Sequence, residues 1–128
     1  METLMSGQIE VMINECFGGF GFSPEAISKY RKANPEQNPN QIERRDPVMI
    51  QIVKEMGKRA NGHHALIVIE TIPEQYINHY SITSNDGFES VEIHYEKYKI
   101  DIAKSILNDG SLTDSEKLAR IDAVLNEV

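Results

Sequence analysis

QIEVMINECFGGFGFSPEA, residues 8–26, decides how the fold begins. Ile9, Val11 and Ile13 alternate with polar neighbours, and a period of two predicts a half-buried strand. The period then stops. Cys16, Phe17, Gly18, Gly19, Phe20 and Gly21 crowd three glycines and two aromatic rings into six positions, which suits a turn rather than a regular element. Ser23-Pro24-Glu25 reads as an N-cap, a first-turn proline and an acid at the positive end of a helix dipole. A strand that passes through a glycine-rich reversal into a helix opens a mixed fold.

The first helix is expected from Pro24 to about Ala33, with Ala26, Ile27 and Tyr30 on one face. Residues 34–45, NPEQNPNQIERR, form a surface loop long enough to act as a flap. Asp46-Pro47 repeats the start signal, and Val48, Met49, Ile50, Ile52, Val53 and Met56 leave the second helix little polar face. Asn61-Gly62 ends it near Ala60. His64 to Ile72, HALIVIETI, is apolar and branched enough to predict a central strand, closed by Pro73. Gln75 to Ile82 alternates weakly and reads as its neighbour, followed by the turn Ser84-Asn85-Asp86-Gly87. Phe88 to Tyr98 fits two periods: Val91, Ile93 and Tyr95 alternate, while Phe88, Val91 and Tyr95 also share a helical face. It is read as a strand. Lys99 to Asn108 is a short helix with Ile102, Ile106 and Leu107 as its stripe. Thr113 and Glu116 are spaced as a capping box, opening a last helix that carries Leu118, Ile121, Val124 and Leu125.

The expected fold is α+β: a small, mostly antiparallel sheet covered by two helices over residues 1–98, with a C-terminal helical hairpin over 99–128. The hairpin's apolar stripe must cover the sheet or a second copy, so a homo-oligomer is expected.

With 128 residues, the chain is one ordinary domain. Its 13 basic and 20 acidic residues give a net charge of −7, which opposes a nucleic-acid partner, since phosphate binding relies on clustered Lys and Arg. One cysteine excludes an internal disulfide and any multi-cysteine zinc site, and it fits a reducing, cytoplasmic compartment. METLMSGQIEV has no basic n-region and no long apolar run, so no signal peptide is expected. No stretch approaches the ~18 apolar residues of a membrane span.

The candidate site gathers round the glycine turn. Phe17, Gly18, Gly19 and Phe20 either offer amides and a stacking face to a ligand beside a helix N-terminus, or form a turn that tucks both rings into the core. No Gly-Lys-Ser/Thr follows and GxGxxG is not matched, so neither a nucleotide P-loop nor a dinucleotide fold is supported. Arg44-Arg45-Asp46 is the anion candidate: Arg45, just before the Asp46 cap, either holds a phosphate or carboxylate with the helix amides, or the arginine pairs with Asp46 or with a carboxylate on the third strand. Asp86, Glu89 and Tyr95 complete the expected ligand-binding set. Tyr76, Tyr80, Tyr95 and Tyr98 give the sheet a tyrosine-rich region that lines a pocket or packs. Cys16 as a nucleophile needs a base, and no spacing ties His63, His64, His79 or His94 to it. Adjacent His63 and His64 on a strand would point to opposite faces, and Glu92 with His94 gives two metal ligands without a third. No metal and no cofactor are expected.

INECFGGFGFSPEA, Arg45-Asp46-Pro47, KRANGHHALIVIETIP and Asp86-Gly87-Phe88-Glu89-Ser90-Val91 occur in that order. Over about residues 9–98 they resemble a family of small proteins encoded mainly in tailed phages and prophages. That family's last motif reads as a DG-E-V-like turn followed by His, Arg and Trp. Here Tyr95, Glu96 and Tyr98 stand at those places, with His94 one step early. The resemblance implies a phage setting. Joined to the anion-site logic, it leads to the expectation of a non-catalytic protein that sequesters a small anionic, nucleotide-like ligand, a sponge for a bacterial immune signal. The alternative is an inhibitor or adaptor acting on a host protein, and a third reading is an enzyme that depends on Cys16 or His94.

Overall fold

The computed structural model describes residues 7–126. Residues 1–6, part of the stretch read for a leader, and residues 127–128 of the expected hairpin lie outside the described residues. The fold is α+β, with two antiparallel strand pairs and four α-helices among the described residues.

Strand β1 (Gln8–Asn14) runs antiparallel to β2 (Ile67–Pro73), from Gln8 opposite Pro73 to Asn14 opposite Ile67. Helices α1 (Pro24–Ala33) and α2 (Pro47–Met56) start where their caps foretold. Ser23 Oγ accepts the Ala26 amide at 3.1 Å, and the Asp46 carboxylate accepts those of Val48 and Met49 at 2.9 and 3.2 Å. Both helices pack on the β1–β2 pair round a cluster that includes Met12, Tyr30, Met49, Ile52, Val53 and Ile67. Tyr30 is fully buried and donates to Asp46 Oδ2 at 2.6 Å. Burial, and the carboxylate it donates to, push its pKa up to about 12.

Strands β3 (Tyr80–Asn85) and β4 (Phe88–Ile93) form a hairpin, with Asn85 opposite Phe88. Its two turn residues, Asp86 and Gly87, have φ of +54° and +93°, the two left-handed positions that a tight right-twisting hairpin requires. Helices α3 (Tyr95–Leu107) and α4 (Asp114–Leu125) form the C-terminal pair, and the capping box at Thr113 and Glu116 is closed in both directions. Neither helix fully buries a side chain.

Several boundaries differ from expectation. β1 is buried at Val11, Met12, Ile13 and Asn14 alike, not at alternate positions. Met12 meets the helices in the core cluster, and the edge of the strand away from β2 is closed by the Arg44 segment and Glu89. The apolar run at 64–72 becomes a strand only at Ile67, because the Asn61 side chain accepts the Ile67 amide at 2.9 Å and holds the preceding residues in a loop. Among the described residues β2 pairs with β1 alone, so it is not central. His63 and His64 stand in that loop, His64 at φ +67°, with their rings 3.9 Å apart rather than on opposite strand faces. Gln75 does not begin a strand: Glu74–Tyr76 is a 3-10 turn, and the next strand pairs with β4, not β2. The ambiguous 88–98 stretch is both elements in succession, a strand to Ile93 and a helix from Tyr95. The tyrosine group is therefore on no single sheet. Tyr80 is in β3, Tyr76 in the 3-10 turn, and Tyr95 and Tyr98 in α3.

Candidate functional site

β1 ends on a polar residue, and the site is built round it. Asn14 is fully buried, and its side chain joins three segments. Its Nδ2 donates to the carbonyls of Cys16 and Gly87, both at 2.8 Å, and its Oδ1 accepts the Leu66 amide at 2.8 Å. The backbone amide of Asn14 donates to Glu89 Oε1 at 2.9 Å, and that of Met12 to the Arg44 carbonyl at 2.8 Å. The edge of β1 away from β2 is thus satisfied by one carbonyl and one carboxylate, which stand where a third strand would.

Glu89 is the second buried polar residue, 8% exposed. Arg44 holds it in a two-pronged pair, with N–O distances of 2.6 and 2.9 Å. The same guanidinium lies 3.7 Å from the centroid of the Phe20 ring, which covers it on one face. Burial alone would raise the Glu89 pKa. The Arg44 hydrogen bond, the Asn14 amide and the Arg44 charge overcome that and hold the carboxyl below its usual range.

Above this hub two turns are pressed backbone to backbone. A Cβ at Gly87 would stand 2.7 Å from the Gly19 nitrogen and 2.9 Å from that of Gly18. One at Gly18 would stand 2.4 Å from the His64 carbonyl oxygen. Only glycine allows such approach. The glycine loop is therefore a joint between chain segments, and the Gly18 amide bonds the Cys16 carbonyl within the loop at 3.0 Å.

The expected site residues separate into groups. Gly18, Gly19, Asp86 and Glu89 come together at the joint, Glu89 below it and Asp86 in the exposed hairpin turn. The two phenylalanines part company. Phe20 packs against the core with Phe22, ring centroids 5.0 Å apart. Phe17 is 68% exposed and lies against Phe88, itself exposed, at 5.2 Å. Arg45 is exposed and lines two hollows, neither of which includes the glycine loop. The larger, about 580 Å³, is shared with Ile42, Asp46, Tyr80 and Ile82, and the smaller, about 380 Å³, with Ile9, Glu10, Ile50 and Lys54. The α2 amides beside Arg45 already bond Asp46. Tyr95 is remote from the joint in its packing: its ring meets Tyr76 at 5.2 Å.

Of the residues that build the hub, sequence reasoning passed over Asn14, read Gly87 only as a turn residue and read Arg44 only beside Arg45 in the anion candidate. Asn14 had a weak signal, a polar residue straight after the apolar run Val11, Met12 and Ile13. Arg44 had none that distinguished it from Arg45.

The other chemistry-bearing residues go elsewhere. Cys16 is half-buried, with its carbonyl on Asn14. His94 Nε2 is 3.0 Å from Ser81 Oγ, and His79 Nε2 is 2.7 Å from Asp101 Oδ2. Hydrogen bonding to that histidine lowers the Asp101 pKa. No three His, Cys, Asp or Glu among the described residues are grouped to hold a metal, and no described helix is long and apolar enough to cross a membrane. Compared with family models, curated proteins and solved structures, the chain matches none.

Proposed function

We propose that this is a non-catalytic binding protein that docks on a partner protein through Phe17 and Phe88. The observation that carries the reading is the placing of two exposed, mutually packed rings on turns whose backbones are locked together. Large aromatic anchors dominate many protein interfaces, and anchors already held in place lose little freedom on docking. The polar groups underneath support the same reading, because Asn14, Arg44 and Glu89 are engaged with one another in holding the two turns. In the phage setting that the resemblance implies, the partner is a host protein that this chain inhibits or bridges.

A benzophenone amino acid in place of Phe17 tests this by light-induced capture, followed by affinity measurement with the purified partner. Phe88→Ser is expected to weaken that affinity at least tenfold, and Arg45→Ser to leave it unchanged. A partner bound as tightly by Phe17→Ser and Phe88→Ser as by the parent protein overturns the reading.

One observation favours a second reading, the sequestering of a small nucleotide-like anion. Arg45 forms no ion pair or hydrogen bond among the described residues, and it shares a hollow of about 580 Å³ with the Tyr80 ring. Isothermal titration with cyclic and linear nucleotides checks it. Binding that disappears in Arg45→Ser supports the sponge, and heat that is the same in both proteins dismisses it.

A further inference from the structure

The hollow at the C-terminal hairpin is distinct from both surfaces above. It measures about 300 Å³ and is lined by Gln75, Tyr76, Tyr95, Tyr98, Lys99, Ile102 and Val124, so the turn after β2 and both helices of the hairpin contribute. Its wall is aromatic. The Tyr76 ring meets Tyr95 at 5.2 Å and 81° and Tyr98 at 4.9 Å and 68°, both edge to face. Tyr98 is buttressed from behind by the His79 ring at 5.3 Å, and His79 is fixed by Asp101 on the same helix. Tyr76 and Tyr98 are half-buried, while Tyr95 packs on Tyr76 from a half-exposed position. None of their hydroxyls bonds to another described residue.

We infer that this hollow is a small-molecule site for a planar heteroaromatic ring of the nucleobase kind. Three features lead to that class. Edge-to-face tyrosines leave ring surface on which a further flat ring can stack or abut, with Ile102 and Val124 supplying apolar contact. The Gln75 amide and the phenolic hydroxyls offer both donors and acceptors, which suits a ring edge that carries both. A quaternary ammonium, the other guest of tyrosine boxes, would want a carboxylate close by. Among the described residues that line this wall there is none. The size is at the small end of ligand pockets, right for a ring and little more.

The test is a titration of the full chain, followed by the ring proton signals of Tyr76, Tyr95 and Tyr98, with adenosine and uridine as probes. Ribose 5-phosphate and tetramethylammonium are the controls. Saturable shifts of all three tyrosines with at least one nucleoside are expected, with neither control producing them. Tyr76→Leu should weaken binding at least tenfold, while Arg45→Ser leaves it unchanged, which separates this site from the anion hollow. If Tyr76→Leu does not fold, Tyr95→Leu, at a half-exposed position, serves in its place. No saturable shift with either nucleoside, equal affinity in the tyrosine variants, or tighter binding of tetramethylammonium than of nucleoside overturns the inference.

Discussion

Arg44 decides whether Glu89 is an asset or a burden. A buried carboxylate without its counter-charge is strongly destabilising, so Arg44→Met should cost about 3 kcal/mol in urea unfolding. Adding Glu89→Gln removes the stranded charge but keeps an acceptor for the Asn14 amide, and part of the loss should return. The coupling between the two sites in a double-mutant cycle is the quantity to measure. Acid tests the same pair. The folded pKa of Glu89 is lowered from the ordinary 4.5. Its contribution is therefore complete above that pH and is lost as pH falls through the lower folded value. In Arg44→Met only burial and the Asn14 amide remain to act on the carboxyl, and the lowering by Arg44 goes. The gap in stability between parent and variant should accordingly narrow below about pH 4.5.

At the scale of elements, the joint between the glycine loop and the β3–β4 turn makes a sharp contrast among glycines. Gly87→Ala must adopt a left-handed φ of +93° and push a methyl group to 2.7 Å from the Gly19 nitrogen. A loss above about 2 kcal/mol is expected. Gly110→Ala meets no heavy atom within 4 Å and should stay within about 0.5 kcal/mol of the parent. Thermal melts of the two variants side by side provide the check.

What could be read from the sequence at this scale was whatever is local. Ser23-Pro24, Asp46-Pro47 and Thr113 with Glu116 each satisfy amides within three residues, so the caps were visible without any tertiary knowledge. The start of α3 was not, because the His94 side chain at its N-cap accepts none of the helix amides and Ile93 still belongs to a strand. Both halves of the joint were recognisable as turns. Their meeting was not, since Asn14 and Gly87 are 73 positions apart and no spacing rule reaches so far. The choice between Arg44 and Arg45 failed for a similar reason. Both stand in one short non-helical stretch between residues 42 and 46, and only the distant Glu89 selects between them.

Over the whole molecule, stability should be uneven. The β1–β2 pair with α1 and α2 contains nearly all the fully buried side chains among the described residues, whereas α3 and α4 contain none. A unit held by few buried contacts opens more readily than the core it is attached to. Amide hydrogen exchange on the full chain should show the 95–125 amides exchanging through openings well below the global unfolding free energy, and those of β1 and α2 only near it. Uniform protection would instead mean that a second copy covers the hairpin, where Leu107, Leu118 and Leu125 are exposed.

The backbone-to-backbone seating of Gly87 on Gly18 and Gly19 separates what holds the molecule together from what it displays. Phe17 and Phe88 stand on the displayed side, and neither belongs to the buried core cluster or to the Asn14, Arg44 and Glu89 hydrogen bonds beneath. For the docking role proposed above, the contact surface is thereby free to change its rings while the scaffold beneath stays as it is.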